Sequence, residues 1–323
     1  GLRVAQVGTS VQGRPIRAVT FGTGPTTVLL WSQMHGDEST ATMALADLIA
    51  WMGATDPAAR EIRDRVAREL TVVMVPMLNP DGAELFQRQN AFGVDVNRDA
   101  RNLATPEART LKALRDSLRP QFGFNLHDQG ARIVGGRAGE QVAIALLAPA
   151  RNAATDYEGA RGPARLLTSS IVSVLAEEIP GHYSKYEDDF NPRAFGDLMQ
   201  QWGTSTVLVE SGGMPDDPQK QRLRGINVVI LVSAFDAIAA GRWRDADPRL
   251  YDALPMNDRS AVDVVVRGAR LVLPGAEPAR VDVALNYDDL LNRTGLRALE
   301  VGDLAEVVAF DTVDASGLFL HPA

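Results

Sequence analysis

Cysteine is absent from all 323 residues. That excludes disulfides, thiolate metal sites and a cysteine nucleophile, so any bound metal must be held by His, Asp or Glu. Histidine is scarce too, with His35, His127, His182 and His321 the only four. No apolar run approaches the roughly 20 residues needed to cross a bilayer, and no membrane span is expected. Positive charge is in deficit: 33 Lys and Arg against 41 Asp and Glu give a net charge of −8 and a pI near 5.1. Phosphate contacts need a basic field, so nucleic acid is not an expected partner. The chain has no repeat at solenoid spacing and no low-complexity tract. It starts at Gly1 without a methionine, which suggests that a leader was removed or the chain trimmed, and the missing cysteines suit an extracytoplasmic protein, periplasmic or secreted, the expected location.

What is present suffices for a packed core, with 45% hydrophobic and 23% charged residues. The length fits one large α/β domain, or a domain of about 250 residues with an appendage. Residues 1 to 25 alternate apolar positions between Gly13, Pro15, Gly22 and Gly24, as an edge hairpin does. Thr26 to Trp31, Leu70 to Met77, Phe122 to Leu126 and Thr204 to Val209 read as buried strands. Thr40 to Met52, Pro57 to Arg68, Pro106 to Leu118 (capped by Thr105), Arg165 to Ile179 and Gln219 to Ala240 read as helices. Ala131 to Gly139 reads as a glycine-rich loop, and Pro180 to Trp202 as a surface or pocket-lining loop. After about Arg242 the texture changes to short alternating runs broken by Gly, Pro and Asp, which predicts a small β-rich unit without chemistry of its own. The predicted class is α/β, a mixed and mostly parallel open sheet flanked by helices, over residues 1–244. Residues 245–323 form the β-rich accessory unit.

Chemistry concentrates where buried strands end. QMHGDEST follows the first buried strand and carries His35 and Glu38, three positions apart. LNPDG, at Asn79 to Gly82, is a strong turn signal that taken alone is only a turn. The polar stretch from Glu84 to Ala100 is irregular and long, a kind of segment that is often functional. His127 and Glu210 lie just past the ends of two further strands. In an open α/β sheet the carboxyl ends share one rim, so His35, Glu38, His127 and Glu210 can converge there. Two His and one Glu make a three-ligand zinc set with an open position, as in catalytic sites. Glu210 is then a carboxylate placed to act as general base towards water.

The ordered set QMHGDE, LNPDG, RQNAFGVDVNR, FNLH and VLVESGG, with SVQGRPI ahead of it, resembles the zinc metallocarboxypeptidases of the carboxypeptidase A-like family, in a bacterial-type HGDE form. The resemblance covers roughly residues 1 to 240. It implies one zinc per chain on His35, Glu38 and His127, with Asp95 orienting a ligand imidazole. It also implies Asn97 and Arg98 on the substrate's terminal carboxylate, Arg88 on the scissile carbonyl, and Glu210 as the catalytic carboxylate. The partner so implied is a peptide or peptide-like substrate with a free carboxylate, cleaved at its C-terminal bond. The alternatives are a zinc amidohydrolase or deacylase and a peptidoglycan-peptide hydrolase on the same fold.

The pattern departs from the family in three places. Asp37 stands where animal digestive members have an arginine, which leaves carboxylate recognition to Arg98 and Arg193. DQG follows His127 in place of an SY pair. The family's mobile tyrosine has Tyr186 as its nearest candidate and Tyr183 as the next. Phe190, Phe195, Asp188, Asp189 and Arg193 are expected to line or support the pocket, Asp128 to be a hydrogen-bonding neighbour, His182 to be at most a wall residue, and His321 to be exposed.

Overall fold

Alternation within the first buried strand already divides the molecule into two layers. In Thr26–Ser32, Val28 and Leu30 pack into one core, whereas Leu29 and Trp31 pack into another on the opposite face of the sheet. The computed structural model describes residues 1–136 and 139–321. Five strands open the main sheet: β1 (Arg3–Thr9), β2 (Pro15–Phe21), β3 (Thr26–Ser32), β4 (Leu70–Val75) and β5 (Phe122–Asp128). After the short β6 (Val134–Gly135) come β7 (Ile144–Leu147), β8 (Tyr183–Lys185) and β9 (Ser205–Ser211). The spatial order is β1-β2-β4-β3-β5-β9-β7-β8. The central run β4-β3-β5-β9 is parallel, and the β1-β2 hairpin and β7 join it antiparallel.

Helices cover both faces, as a parallel sheet requires. They are α1 (Thr40–Gly53), α2 (Arg60–Glu69), the short α3 (Pro80–Glu84), α4 (Pro106–Leu118), α5 (Arg161–Glu178), α6 (Phe195–Gln201), α7 (Gln221–Ala239) and α8 (Arg249–Asp252). Buried side chains of α1, α5 and α7 share the first core with Val207 and Val209 of β9. Ala108 and Leu111 of α4 and Phe195, Leu198 and Met199 of α6 build the second with Trp31. Gly123 makes room there, since a Cβ at that position would lie 3.2 Å from the Trp31 ring.

The predicted loop from Pro180 to Trp202 is not all loop. It contains β8 and α6, the latter held by buried Phe195, Leu198 and Met199. The stretch Ala131 to Gly139 likewise contains β6, paired with β10 (Asn257–Asp258), although Arg137 and Ala138 lie outside the described residues. Tyr251 of α8 and Leu254 belong to the first core. The C-terminal sheet comprises β11 (Val262–Leu271), β12 (Ala279–Asp289), β13 (Thr294–Gly302), β14 (Ala309–Asp314) and β15 (Phe319–Leu320), with strand order β13-β12-β11-β14 and β15 pairing β11. Among the described residues no helix is long and apolar enough to cross a membrane.

Candidate metal centre and active site

β3 delivers the first histidine through a strained exit. Gln33 takes a left-handed φ of 50°, and its side-chain amide donates to Gly36 O at 2.9 Å, curling the chain back on itself. Gly36 then lies against the backbone of Gly82, where an added Cβ would be 2.0 Å from the carbonyl carbon. The LNPDG turn is thus the bed on which the HGDE loop rests. Asn79 caps α3 by accepting from Gly82 N at 2.9 Å and donates from Nδ2 to Met34 O at 3.2 Å. Its own N donates to Gln33 O at 3.0 Å.

β5 and β9 deliver the other two groups side by side. His127 and Glu210 are direct register partners on these parallel strands. Their neighbours Leu126 and Val209 face the first core, so both functional side chains project from the opposite face. Asp128, next along, accepts from Thr40 Oγ1 at 2.6 Å and Lys220 Nζ at 3.2 Å. It thereby ties the start of α1, whose own N-cap Ser39 makes no side-chain cap, to the site.

The donor atoms of His35, Glu38 and His127 all lie within 4.8 Å of one another. Glu38 Oε1 is 2.8 Å from His35 Nδ1, and its Oε2 is 2.7 Å from His127 Nδ1. The two Nδ1 atoms face each other at 3.2 Å. His35 Nε2 donates to Asp95 Oδ1 at 2.9 Å, which leaves Nδ1 of the neutral ring as a lone pair aimed at the cluster. Two ring nitrogens and a carboxylate directed at one point are a donor set that a cation satisfies, and all three residues are buried or nearly so. These residues therefore fit a zinc ion.

Asp95 is placed by local structure. Its Oδ1 caps the 3-10 turn Val96–Arg98 by accepting from Asn97 N at 2.8 Å, and its Oδ2 accepts from Arg88 Nε at 3.1 Å. Arg88 Nη1 also reaches Glu38 Oε1 at 3.2 Å and donates to His35 Nδ1 at 3.1 Å. Asn97 Oδ1 accepts from Phe195 N at 2.9 Å at the start of α6, while its Nδ2 lies 3.4 Å from His127 Nε2. Arg98 Nη1 donates to Asn97 O at 2.8 Å.

Electrostatics follow burial and pairing. Burial works against the charge on His35, but its bonds to Asp95 and Glu38 outweigh it and raise the pKa. Glu38 and Asp95 pay a burial penalty and are nonetheless held well below the usual carboxylate range, Glu38 by His127 and His35 and Asp95 by His35 and Arg88. Burial lowers His127. Glu210 is pushed well above the carboxylate range, first by burial and then by the charges of Glu38 and Asp128.

A cleft of about 630 Å³ opens on this cluster. Arg88, Asn97, Arg98, Tyr186, Arg193 and Glu210 all line it, so every substrate-side residue expected from sequence meets His35, Glu38 and His127 there. Phe190 and Asp189 line it as well. Asp188 instead pairs with Lys185 at 3.5 Å and with the fully buried Arg161, supporting the wall from behind. Phe195 is buried in the second core. His182 is not a wall residue, because its Nδ1 is 2.8 Å from Gln141 O, away from the cleft, and His321 is exposed. Sequence reasoning missed Asp197 and Arg259, which also line the cleft. Asp197 lay in the presumed loop, and Arg259 in a stretch with no chemical motif.

Comparison with known proteins agrees with this geometry. A family model described as zinc carboxypeptidase matches residues 2–127, the span that holds His35, Glu38, Arg88, Asp95, Asn97, Arg98 and His127. Residues 2–127 are thus similar to the zinc carboxypeptidase family. Carboxypeptidase 2 of Trichophyton rubrum is 29% identical over 101 residues, covering 31% of this chain and 18% of that protein. Carboxypeptidase SOL1 of Arabidopsis thaliana is 28% identical over 144 residues, 39% of this chain and 28% of that protein. The matches thus span under a third of these relatives' lengths. Among solved structures, the metallo-carboxypeptidase of Burkholderia cenocepacia shares the fold with a TM-score of 0.57 at 16% identity, over 75% of this chain and 65% of that one. Carboxypeptidase A of Helicoverpa armigera does so with a TM-score of 0.54 at 16% identity, over 75% and 69%. The mixed sheet with flanking helices is thus the zinc carboxypeptidase fold, and the chain also carries the C-terminal sheet.

Proposed function

We propose that this chain is a zinc-dependent carboxypeptidase that holds one zinc on His35, Glu38 and His127 and hydrolyses the C-terminal peptide bond of peptides with a free carboxylate. The observation that carries this reading is the register of His127 with Glu210, which sets a buried carboxylate one strand from the ligand set in a cleft also lined by Arg88 and Arg98. When bound, zinc supplies Lewis acidity, polarising a carbonyl and making water a better nucleophile.

The chain's own residues do the rest. Arg98 and the amide of Asn97 bind the terminal carboxylate, and Arg193 and Tyr186 contribute from the same cleft. Arg88 donates to the oxygen that gains charge as the carbonyl carbon becomes tetrahedral. Glu210 takes the proton from the attacking water onto its carboxylate and hands it to the leaving amine. The raised proton affinity of Glu210 suits a group that must carry that proton between two partners. Asp95 keeps His35 in the tautomer that presents Nδ1.

The test compares peptides with free and amidated C-termini, alongside metal analysis and Glu210→Gln. Exopeptidase action predicts one zinc per chain and cleavage of free termini only. Glu210→Gln should lose about 10³-fold or more in kcat while retaining zinc. Equal cleavage of amidated peptides would instead indicate an amidohydrolase or endopeptidase on the same centre.

A further inference from the structure

Two leucines of the main sheet are buried yet belong to neither main core. Leu208 of β9 and Leu147 of β7 are register partners on antiparallel strands, and Asn125 of β5 pairs with Leu208 from the other side. All three line the cleft, whereas their neighbours Leu126, Val207, Val209, Leu146 and Ala148 pack into the first core. Asn125 and Leu208 stand two residues before His127 and Glu210 on the same strands, so they point to the same face about 7 Å further in. The start of α6 covers this floor. A Cβ added at Gly196 would lie 3.2 Å from Pro149 Cγ and 3.4 Å from Asn125 Nδ2, so glycine leaves open a recess that any side chain would narrow. Pro149, Gly196 and Asp197 all line the cleft.

Two buried acceptors accompany this apolar floor. Asn125 is 2% exposed, and its Oδ1 has no hydrogen-bond partner among the described residues. Asp197 is buried as well, with Oδ1 accepting from Asn191 N at 2.9 Å. Its carboxylate forms no ion pair among the described residues, Arg98 being the cation whose charge it feels, and burial pushes it up to about 7. An apolar side chain in the recess would leave both acceptors without a donor, and an anionic one would meet a like charge. An alkyl stem ending in a cationic nitrogen satisfies every group present. Its methylenes lie on Leu147 and Leu208, and its N–H groups donate to Asp197 and Asn125. We propose that the recess formed by Asn125, Leu147, Leu208, Gly196 and Asp197 receives the side chain of the substrate's C-terminal residue and selects one with a cationic nitrogen on an alkyl stem, as in lysine or arginine. That the occupant is a C-terminal residue rests on the carboxypeptidase reading. The preference of the recess for a cation does not.

The experiment supplies zinc to the full chain and compares N-blocked dipeptides ending in lysine, arginine, norleucine, glutamate or alanine. Norleucine keeps the stem of lysine and lacks its amine. For the wild type, kcat/KM on the better of the lysine and arginine peptides should exceed that on norleucine by about 10- to 100-fold, the value of a hydrogen-bonded charge pair. Which of the two leads tells ammonium from guanidinium. Asp197→Asn should bring the ratio down about tenfold or more, because it removes the charge and keeps the shape. Gly196→Ala should raise KM for the lysine, arginine and norleucine peptides more than for the alanine peptide, since the added methyl narrows the recess. A wild type that prefers norleucine or glutamate, a ratio unmoved in Asp197→Asn, or equal effects of Gly196→Ala on long and short side chains overturns the proposal. A readout free of turnover is calorimetric titration of L-lysine, L-arginine and L-norleucine into the wild type and Asp197→Asn. Lysine or arginine should bind the wild type about tenfold more tightly than norleucine and lose that advantage in the variant. If the advantage is present while no peptide is cleaved, the cation recess is supported and the carboxypeptidase reading fails. If peptides are cleaved and the advantage is absent, the recess inference fails alone.

Discussion

Asp95 shows how one side chain can serve structure and chemistry together. The same carboxylate caps a 3-10 turn, receives Arg88 and fixes the His35 tautomer. Asp95→Asn keeps an acceptor for the turn but removes the charge that strengthens His35 as a ligand. It should weaken zinc binding by about 10- to 100-fold with little change in thermal midpoint. Competition with a chromophoric chelator measures this, and unchanged affinity would refute the orienting role. Asp197 offers a second test. Burial pushes its carboxyl up to about 7, opposed by the backbone N–H of Asn191 and by Arg98 and reinforced by Asp188. A carboxyl raised in the folded state favours the protonated fold, so its contribution is complete below its unfolded value of about 4 and is lost as pH rises through about 7. The wild type should therefore lose on the order of a few kcal/mol relative to Asp197→Asn between those limits. Urea titrations of both proteins at several pH values give the difference, and parallel curves would sink the assignment. At this scale the convergence of His35, Glu38, His127 and Glu210 was legible in the sequence because each follows an apolar strand whose end is easy to read. Asp197 was not, because nothing local marks a polar residue in a short helix as buried.

At the scale of elements, the long strands and helices were readable because their apolar periods run through whole cores. Four-residue β7 and three-residue β8 were not, since Ile144–Leu147 is too short to be told from a buried helical turn. α6 was hidden for another reason: its seven residues lie within a polar stretch, and only tertiary packing of Phe195 and Met199 makes it a helix. The LNPDG turn had an obvious shape but no legible purpose. Its purpose is contact, because Gly36 and Gly82 bring two backbones together beneath the metal loop. Gly36→Ala forces a methyl onto the Gly82 carbonyl carbon and cannot be relieved by a side-chain rotation. It should cost about 1–3 kcal/mol and weaken zinc binding at the same time, since the loop it displaces carries His35 and Glu38. Calorimetric unfolding with and without zinc measures both. A variant that is destabilised but binds zinc normally would show that the turn supports only the fold.

On the scale of the whole molecule, the C-terminal sheet is tied to the main body by a side-chain contact on a buried carboxylate, besides the connector of residues 253–261 that leads into it from α8. Arg132, in the loop after β5, donates from Nε and Nη2 to Asp263 of β11 at 2.9 and 2.8 Å, and from Nη2 to Tyr287 O at 2.7 Å. Asp263 is 4% exposed and also accepts from Tyr287 N at 2.7 Å. A planar fork on a buried carboxylate is a directional link, and removing the cation strands the charge it neutralised. The apolar core of the C-terminal sheet is small by comparison with the two main cores, Val262, Val265, Ala284 and Leu304 being its buried members. That sheet therefore depends on its attachment more than the main sheet does. Arg132→Leu should lower its stability by about 2 kcal/mol, with Tyr287 N–H still satisfying part of Asp263. The expected record is a biphasic unfolding curve in which the C-terminal sheet melts first and becomes open to limited proteolysis within residues 262–320. Because the connector also carries Arg259 to the cleft, KM should rise in step with that first transition while zinc content stays constant. A single cooperative transition with unchanged KM would show that the sheet and the catalytic cleft are energetically independent despite sharing this contact.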